Sequence, residues 1–557
     1  MTIPYNQRRV LVIAGSDSSG GAGLEADQKV IAAHGCYAMT ATTALTAQNT
    51  QGVKGIHVTP PDFVAKQIGA CAADIGVDVV KTGMLACADT VKVVAKALEG
   101  HAISLSVIDP VMISTSGSRL LPEDAIRTMI DELLPRTFLL TPNIPEAVLL
   151  LSEAGKTPVE AKSLSELKEL AQRLAELGPR HVLVKGGHLP LIRSDLSAAT
   201  PTTPDSEKVV ANVLYSAMTS SCHVFISSYQ SSPHTHGTGC SLASAIACNL
   251  LQYHPIQVGI SKALDYVSAG IRLAQPLGHG AGPISHFHSL QILPFAPGTF
   301  IQYLLRHPQV RPAWRRFTHH QFVTDLASGT LPAKSYRHYL AQDYLYLIQF
   351  ARANALAGYK AKTLDSISAS AEIVLHIQRE TALHVRECEE RGLSLEEMQQ
   401  TEEDAACTAY SRFILDTGMQ QDWLALQIAM LPCLLGYGMV AARLVEQYRG
   451  RNKGDQSEGA RLVASLRSVA EREEGAEEMN IVTLEETEDS GTYRQWIENY
   501  VADDYTEAVR KGCELVEGYA AKQSPARIEE LMQVFLHATN METGFWDMGL
   551  RAGQAEH

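Results

Sequence analysis

The sequence predicts two domains of different fold class: an α/β domain of three layers with a mostly parallel sheet, followed by an all-α helical bundle. Residues 9–290 alternate short β-branched runs with helical stretches, which is typical of an α/β domain. Beyond residue 299 the strand-like runs stop and long amphipathic stretches replace them. A chain of 557 residues also exceeds the length at which one hydrophobic core stops growing. We therefore predict a first domain at 1–290, a linker at 291–299 and a second domain at 300–557.

Composition narrows the class of function. The chain has 47 basic and 61 acidic residues, a formal net charge of −14, which argues against a nucleic-acid or membrane-surface binder. Its ten cysteines are scattered singly, so they predict reduced thiols and not a zinc module or a disulfide framework. The N-terminus runs directly into a strand, with no signal-peptide pattern, and we expect no apolar run long enough to span a bilayer. These features predict a cytoplasmic enzyme with a small-molecule substrate.

Polar or glycine-rich segments follow the strand-like runs of the first domain. The loop at 15–23 is rich in glycine but has neither the GK[ST] ending of a Walker A loop nor the Rossmann glycine spacing. The other such segments are Gln48-Asn49-Thr50, Lys81-Thr82-Gly83-Met84, Asp109-Pro110, Asn143-Ile144-Pro145-Glu146 and Lys185-Gly186-Gly187-His188. Because open parallel sheets bind ligands beyond the carboxyl ends of their strands, we predict a ligand site there.

A second glycine loop, at 234–239, leads into an apolar helix. Gly237 and Gly239 permit positive φ angles, and the start of the helix offers unpaired N–H groups to an anion. Cys240 lies at that helix start, where the pKa of a thiol tends to fall. This segment predicts a phosphate site with a thiol beside it.

Seven motifs of the first domain identify a family. AGSDSSGGAG, AQNTQGV, KTGML, DPVM, TPNIPE, VKGGH and HGTGC occur in this order. Over about residues 8–290 the chain resembles the hydroxymethylpyrimidine and hydroxymethylpyrimidine-phosphate kinases of thiamine synthesis, which belong to the ribokinase-like superfamily. The resemblance implies two successive ATP-dependent phosphorylations of a pyrimidine alcohol.

The resemblance also implies site residues. The residues implied to bind the pyrimidine are Gly15, Asp27, Gln48, Met84, Val111 and Cys240. Lys185 would face the phosphates of ATP, and Gly237, Thr238 and Gly239 would form the anion hole. Asn143 and Glu146 would organise Mg²⁺, largely through water. Cys240 stands where related sugar kinases have an aspartate base, so its expected catalytic role is positioning with partial base function.

Residues 191–232 depart from the family pattern. They are rich in turn-forming residues and serine and have little periodicity. Related folds place strands beside the nucleotide here. A lid remains an alternative, but we expect a disordered surface loop.

The second domain shows helical periodicity in eight stretches, at 300–306, 313–328, 335–360, 366–390, 401–415, 420–448, 492–519 and 525–552. A charged segment at 449–490 interrupts them and is interpreted as an insertion. Acidic residues among apolar neighbours, such as Asp343 and Glu542, require a partner or a shifted pKa when buried. Aromatic residues at helical spacing, in contrast, are more often core than ligand site.

These stretches also resemble a family. GTLPAKSYRHYLAQDYLYL, LPCLLGY, WIENY and METGFWDMG are similar to thiaminase II, the TenA-like aminopyrimidine hydrolases with a helical fold like that of haem oxygenase. The resemblance implies that Cys433 is the nucleophile and Glu542 its acid–base partner. Asp343 would bind the pyrimidine, with Tyr346, Tyr437 and Tyr500 lining the site. Arg412 departs from a stacking tyrosine expected after Thr-Ala-Tyr-Ser, which leaves the preferred hydrolase substrate open.

The two resemblances together indicate a bifunctional thiamine-pyrimidine protein of the fungal type. The second domain would release hydroxymethylpyrimidine from an aminopyrimidine or from thiamine, and the first would phosphorylate it. Two alternatives stay open: a non-catalytic helical domain for oligomerisation or sensing, and a first domain with the specificity of a pyridoxal kinase. Both families are usually homo-oligomeric, so we expect the same of this chain.

Overall fold

The computed structural model describes residues 7–112, 121–157, 159–253, 255–390, 392–449, 457–471 and 494–554. The chain divides into two compact units, Met1–Leu290 and Gln291–His557, which we call the sheet unit and the helical unit. The predicted linker, 291–299, belongs to the second unit in this division.

The described residues of the sheet unit contain ten strands in one sheet. They are β1 (Arg9–Asp17), β2 (Tyr37–Asn49), β3 (Gly52–Val58), β4 (Val79–Thr82), β5 (Ser106–Ile108), β6 (Leu139–Leu140), β7 (His181–Val184), β8 (Leu191–Ile192), β9 (Lys208–Ser216) and β10 (Ser221–Ser228). The order is β10-β9-β7-β6-β5-β4-β1-β2-β3, with β8 beside β9. The central strands β7-β6-β5-β4-β1-β2 are parallel, whereas β3, β8, β9 and β10 pair antiparallel with their neighbours. The prediction of a mostly parallel sheet is confirmed.

Helices cover both faces of this sheet. They are α1 (Gly23–Ala33), α2 (Pro61–Asp74), α3 (Ala88–Gly100), α4 (Glu123–Thr128), α5 (Ile144–Glu153), α6 (Leu164–Ala175), α7 (Thr238–Leu250) and α8 (Ile256–Arg272). Alternate residues of β1 enter different cores: Leu11 and Ile13 pack with α2–α6, while Val10 and Val12 pack with α1, α7 and α8. This is the period-2 alternation of a strand buried on both faces, and it confirms the predicted three layers.

The expectation of a disordered loop at 191–232 was wrong. This segment contains β8, β9 and β10, and β9 runs the length of β7 and β10. Val209, Ala211 and Val213 of β9 are buried, so the strand is anchored by core packing. The serine-rich β10 has only exposed or half-buried side chains, but Val224 and Phe225 pack against different cores of the sheet unit, and its backbone pairs with β9.

The helical unit contains α9 (Phe300–Arg306), α10 (Val310–Thr318), α11 (Gln321–Ser328), α12 (Ala333–Lys360), α13 (Leu364–Glu390), α14 (Leu395–Gln400), α15 (Ala405–Gln420), α16 (Trp423–Arg449), α17 (Glu458–Glu471), α18 (Arg494–Val501), α19 (Asp503–Ala520) and α20 (Pro525–Gln554). One hydrophobic core runs through the unit. The long helices α12, α15, α16 and α20 contact one another around its centre. The predicted all-α bundle is confirmed.

Two expectations for this unit need correction. Part of the supposed insertion at 449–490 is helix α17, whose Val463 and Leu466 lie in the core; residues 450–456 and 472–490 are outside the described residues. Segment Trp423–Glu446 of α16 is long and apolar enough to cross a membrane, contrary to the expectation that no run is. Of its most apolar window, 83% is buried within the protein, as expected of a core helix.

Candidate active sites

Polar residues from neighbouring strands of the sheet unit meet beyond the carboxyl ends of those strands. Lys185 follows β7, and its Nζ lies 2.6 Å from Oδ1 of Asp109, which follows β5. The same Nζ is 4.0 Å from Oε2 of Glu146, at the start of α5 after β6. Although burial by itself lowers it, the carboxylates of Asp109 and Glu146 raise the pKa of Lys185. The predicted convergence of strand ends is thus present, and it includes Asp109, a strand-end residue for which no particular role was predicted.

Asn143 and Glu146 form the N-terminal cap of α5. The Asn143 side chain accepts from the Glu146 N–H, and Glu146 Oε2 accepts from the Asn143 N–H at 2.8 Å. Burial raises the pKa of Glu146 to about 7, while the charge of Lys185 lowers it. Among the described residues no group of three or more His, Cys, Asp or Glu side chains could hold a metal ion.

The glycine loop before α7 has the conformation expected of an anion site at only one of its two glycines. Gly237 has φ 77°, and a side chain there would overlap the carbonyl of Gly21. Gly239 lies inside α7 and is not among the residues with positive φ. A Cβ at Gly239 would instead approach Lys185 Nζ to 3.3 Å. Gly239 therefore provides space for Lys185 beside the helix start, next to Thr238, the first residue of the helix.

The environment of Cys240 reverses one expectation. Burial raises the pKa of its thiol to about 11, although the nearby Lys81 and the backbone amide of Gly23 lower it. The helix start therefore does not produce a thiolate at neutral pH, because removal from water outweighs the favourable charges.

Asp27 forms a buried ion pair with Lys81. Both of its carboxylate oxygens bind Lys81 Nζ, at 2.7 and 2.8 Å, and Ser244 of α7 donates to it at 2.7 Å. The Asp27 and Lys81 side chains are both fully buried. Their pairing links α1, β4 and α7 behind Cys240, and a role of Asp27 in contacting the pyrimidine stays a prediction.

Asp17 organises the first glycine loop, although the sequence analysis passed over it. Its carboxylate accepts from the N–H groups of Ser19 and Ala22 and lies 2.8 Å from Nε2 of His236. Burial opposes the charge, but His236 and Ser19 keep the pKa of Asp17 below its usual range. His236 Nε2 is also 3.3 Å from Nε2 of Gln48, so the two glycine loops and the end of β2 are joined here.

The other residues predicted to bind the pyrimidine lie close to these groups in sequence and in space. A side chain at Gly15 would overlap Met84, so the Gly15 backbone lies against that side chain. Met84 is buried, and Val111 is half-buried, two residues beyond Asp109.

The helical unit builds its site on Glu542 of α20, which is 1% exposed. The Tyr410 hydroxyl donates to Glu542 Oε1 at 2.7 Å. Burial raises the pKa of Glu542 to about 8, while hydrogen bonds from Tyr410, Cys433 and Tyr437 lower it. At neutral pH this carboxyl is therefore mainly protonated, beside the thiol predicted to be a nucleophile.

Pro432 precedes Cys433 inside helix α16. Proline has no N–H, so the helix lacks one hydrogen bond next to the thiol. Asp343 and Tyr346 lie one turn apart on α12, and Tyr346 stacks on Tyr410 with their ring centroids 5.0 Å apart. The structure therefore brings Cys433, Glu542 and Tyr346 together as predicted.

The other predicted tyrosines lie along one side of the same site. Tyr437 is one helical turn after Cys433, and its ring centroid is 5.1 Å from that of Tyr500 on α18. The charges of Glu542, Cys433 and Asp343 all act on the pKa of Tyr437, which burial raises well above its usual value. Asp343 therefore lies within electrostatic reach of the thiol and carboxyl.

Arg412 does not replace a stacking tyrosine. It is exposed on α15, whereas Tyr410, two residues earlier, faces Glu542 and Tyr346. Tyr410 is not among the predicted site residues, because only its contact with Glu542 on the facing helix α20 places it at the site. A helix turns about 100° per residue, so a shift of two residues moves a side chain to the opposite face.

With both sites described, comparison with known proteins assigns the family. The family model described as phosphomethylpyrimidine kinase matches residues 17–285, and the TENA/THI-4/PQQC family matches residues 307–552. A Schizosaccharomyces pombe protein, provisionally named hydroxymethylpyrimidine/phosphomethylpyrimidine kinase 2, is 41% identical over 539 residues, or 96% of this chain and 90% of that protein. This chain belongs to the hydroxymethylpyrimidine/phosphomethylpyrimidine kinase family.

Within that family it has the two-part form. A hydroxymethylpyrimidine/phosphomethylpyrimidine kinase of Saccharomyces cerevisiae is 30% identical over 99% of this chain and 97% of its own length, so the similarity spans both units. Among solved structures, a phosphomethylpyrimidine kinase from Clostridium difficile is 32% identical, covering 47% of this chain and 98% of that chain, with a TM-score of 0.38. The family assignment depends on the sequence matches.

Proposed function

We propose that the sheet unit transfers phosphate from ATP to 4-amino-5-hydroxymethyl-2-methylpyrimidine and then to its monophosphate. The observation that carries this proposal is the meeting of Lys185, Gly239 and Cys240 at the ends of the parallel strands. The Lys185 ammonium and the N–H groups at the start of α7 stabilise the negative charge of the transferring group. In the first transfer the hydroxymethyl oxygen attacks the terminal phosphorus as the bond between that phosphorus and ADP breaks, and the hydroxyl proton passes to an oxygen of the transferred phosphate. In the second transfer an oxygen of the monophosphate attacks in the same way.

The proposed role of Cys240 is to orient the pyrimidine alcohol. A thiol with a pKa of about 11 holds its proton at neutral pH and is a poor base. Phosphoryl transfer through a loose transition state needs little base catalysis, so positioning accounts for most of the expected contribution.

The oxygen donors of the sheet unit fit Mg²⁺. Asp109 and Glu146 flank Lys185, and Asn143 fixes Glu146 in place. Mg²⁺ commonly binds one or two carboxylates and completes its shell with water and phosphate oxygens. The ion, when bound, would neutralise charge on the phosphates of ATP, and the Lys185 ammonium beside the same carboxylates would add a further positive charge.

We propose that the helical unit hydrolyses an aminopyrimidine, or thiamine, to the same alcohol. The observation that carries this is the buried Glu542 carboxyl hydrogen-bonded to both Tyr410 and Cys433. The Cys433 sulfur attacks the carbon bearing the amine leaving group, and Glu542 gives its proton to the amine while taking the proton of the thiol. Water then displaces the sulfur, and its proton returns to Cys433 through Glu542. Asp343 binds the pyrimidine amine, and Tyr346, Tyr437 and Tyr500 hold the ring.

We propose a cytoplasmic homo-oligomer. Each cysteine of the chain is a free thiol, which suits a reducing compartment. Leu45, Ile56 and Phe63, on β2, β3 and α2, are about half exposed and offer apolar surface to a second copy. Sedimentation equilibrium tests this, and a monomer at micromolar concentration would contradict it.

One assay tests both activities on the full chain. The protein is given ATP, Mg²⁺ and either hydroxymethylpyrimidine or its aminomethyl analogue, and ADP, pyrimidine phosphates and released ammonia are measured. Cys433→Ser should abolish ammonia release and leave phosphorylation intact. Lys185→Met should reduce phosphorylation by about 10²–10³-fold and leave ammonia release intact. Cys222→Ser, at an exposed cysteine, is the matched control and should alter neither activity.

Each rival function has its own outcome in this assay. Ammonia release that is absent from the wild type would indicate a non-catalytic helical unit. Faster ADP formation with pyridoxal than with hydroxymethylpyrimidine would indicate a pyridoxal kinase.

A further inference from the structure

Two free thiols of the sheet unit face each other. Cys36 lies in the turn between α1 and β2, and Cys248 lies near the end of α7. Both belong to the core that packs against α1, α7 and α8, and their side chains form a hydrogen bond with each other. Neither residue takes part in the sites described above, so the two proposed reactions leave this pair of thiols unused.

The two thiols hold their protons differently. The hydrogen bond with Cys248 is the main reason why the pKa of Cys36 falls to about 7. The charge of Arg8 and a hydrogen bond with Gln252 also lower it, whereas burial and the charge of Asp78 raise it. The hydrogen bond with Cys36, together with burial, raises the pKa of Cys248 well above its usual value. Near neutral pH a large share of Cys36 is therefore thiolate, and it accepts a hydrogen bond from the Cys248 thiol.

Cys36 is buried but lies next to the surface. It is 6% exposed, and its neighbours in the chain, Gly35 and Tyr37, are both exposed, whereas Cys248 is fully buried. A small molecule can therefore reach Cys36 more easily than Cys248. Because Cys36 belongs to neither α1 nor β2, its sulfur can approach that of Cys248 without disrupting a helix or a strand. A disulfide requires the two sulfurs to come within about 2.05 Å.

A thiolate in contact with a thiol suits a two-step oxidation. The thiolate sulfur attacks one oxygen of a hydroperoxide, the O–O bond breaks, and a sulfenic acid forms while the other oxygen leaves as alcohol or water. The sulfur of the second thiol then attacks the sulfenic sulfur, and its proton leaves with the hydroxyl group as water. In total the two thiols lose two electrons and two protons, and the hydroperoxide gains them.

We propose that Cys36 and Cys248 form a redox modification site, at which a hydroperoxide oxidises Cys36 and Cys248 then forms a disulfide with it. The contact between the thiols and the position of Cys36 in an exposed turn carry this proposal. The disulfide would join that turn to α7, the helix whose first residues form the proposed phosphate site. Cys240 on the same helix should react more slowly, because its thiol has a pKa of about 11 and keeps its proton.

The test is peptide mapping of the full chain after treatment with hydrogen peroxide. Free thiols are blocked with N-ethylmaleimide, the protein is digested without reductant, and disulfide-linked peptides are identified by mass spectrometry. A parallel sample contains dimedone, which traps sulfenic acid. The wild type is compared with Cys36→Ala, with Cys248→Ala and with the matched control Cys222→Ala, which removes an exposed cysteine of the same unit.

We expect the wild type to yield a peptide that links Cys36 to Cys248 and that dithiothreitol separates. Cys248→Ala should instead carry dimedone on Cys36, because no second thiol displaces the sulfenic hydroxyl. Cys36→Ala should leave Cys248 as a free thiol, and Cys222→Ala should form the same disulfide as the wild type.

Two results would overturn the proposal. Free thiols at both positions, when the exposed Cys222 is already oxidised, would show that the pair is not reactive. Sulfinic acid at Cys36 of the wild type, without a bond to Cys248, would show that Cys248 is not its partner. The wild-type map decides both outcomes even if a variant does not fold. Because it reads only the state of the thiols, failure of either proposed activity would leave this test unaffected.

Discussion

The two units stabilise buried carboxylates in opposite ways. In the sheet unit Asp27 and Asp109 are each paired with a lysine, Lys81 and Lys185, and these side chains are buried or nearly so. In the helical unit Glu542 is surrounded by the phenols of Tyr410 and Tyr437 and by a thiol, and its pKa rises to about 8. The first arrangement pairs carboxylates with cations, whereas the second surrounds a carboxyl with neutral donors. Burial raises the pKa of a carboxyl in both units, since that of Glu146 in the sheet unit is about 7.

This difference corresponds to the two proposed reactions. Phosphoryl transfer moves a highly charged group, so fixed cations are needed where negative charge develops. Displacement of an amine from a neutral ring needs a proton at the leaving group and an acceptor for the thiol proton. The thiols follow the same division, because Cys240 is placed to orient an alcohol and Cys433 to attack a carbon.

The largest expected effect on activity comes from replacing Glu542, which carries the transferable proton of the helical unit. Glu542→Gln keeps the shape of the side chain but cannot pass a proton, so ammonia release should fall by about 10²–10⁴-fold, as measured by steady-state kinetics. Phosphorylation should be unchanged. The control is Glu530→Gln, on the same helix and largely exposed beside Arg527, which should keep full activity. A loss of less than about threefold in Glu542→Gln would remove this carboxyl from the mechanism.

Breaking the charge pair behind Cys240 should mainly destabilise the sheet unit. Lys81→Met leaves Asp27 buried and unpaired, which should reduce the free energy of unfolding by about 3–5 kcal/mol. Urea-dependent loss of phosphorylation measures this, and tryptophan fluorescence gives the unfolding of the helical unit as an internal reference. Lys66→Met, which removes an exposed pair with Asp62, should cost no more than about 1 kcal/mol. Equal unfolding midpoints for the two variants would show that the buried pair contributes little.

The proton on Glu542 also predicts how stability depends on pH. Its folded pKa of about 8 lies above the ordinary value of 4.5, so the folded state binds more protons between these pH values. The stabilisation is present in full below the ordinary pKa and is lost as pH rises through the folded pKa. The wild-type helical unit should therefore lose on the order of 3 kcal/mol relative to Glu542→Gln between pH 5 and pH 8. Urea unfolding followed by tryptophan fluorescence measures it, and parallel pH profiles would place the pKa of Glu542 near its ordinary value.

The smallest effects should distinguish two neighbouring positions on α15. Tyr410→Phe removes the hydroxyl that donates to Glu542 and should slow ammonia release by roughly tenfold. Arg412→Ala, on the exposed face, should change the rate by less than about twofold and the stability by no more than about 0.5 kcal/mol. Initial rates and melting temperatures measure these effects. A larger loss of activity in Arg412→Ala than in Tyr410→Phe would show that Arg412, and not Tyr410, acts at the site.

The sequence predicted the sheet and the bundle because both depend on local patterns. Strand alternation, helical spacing and the polar residues at the strand ends can be recognised in the sequence without knowing which residues are close in space. The convergence of Lys185 with Glu146 follows from a parallel sheet. The prediction failed at 191–232, where the apolar runs of β9 and β10 lie among serine and turn-forming residues that indicated a disordered loop. It also failed at Tyr410, where only the facing helix α20 shows which side of α15 contacts the site.

By itself, then, the sequence determined the fold class of each half, the motifs at the strand ends and the two thiols. Only the tertiary structure decided the pKa values of Cys240 and Glu542 and the partners of Asp27. Each of these depends on how much water a group loses and on which charge or hydrogen-bonding group replaces it. Residues distant in the chain supply those replacements, as Lys81 does for Asp27 and Tyr410 for Glu542.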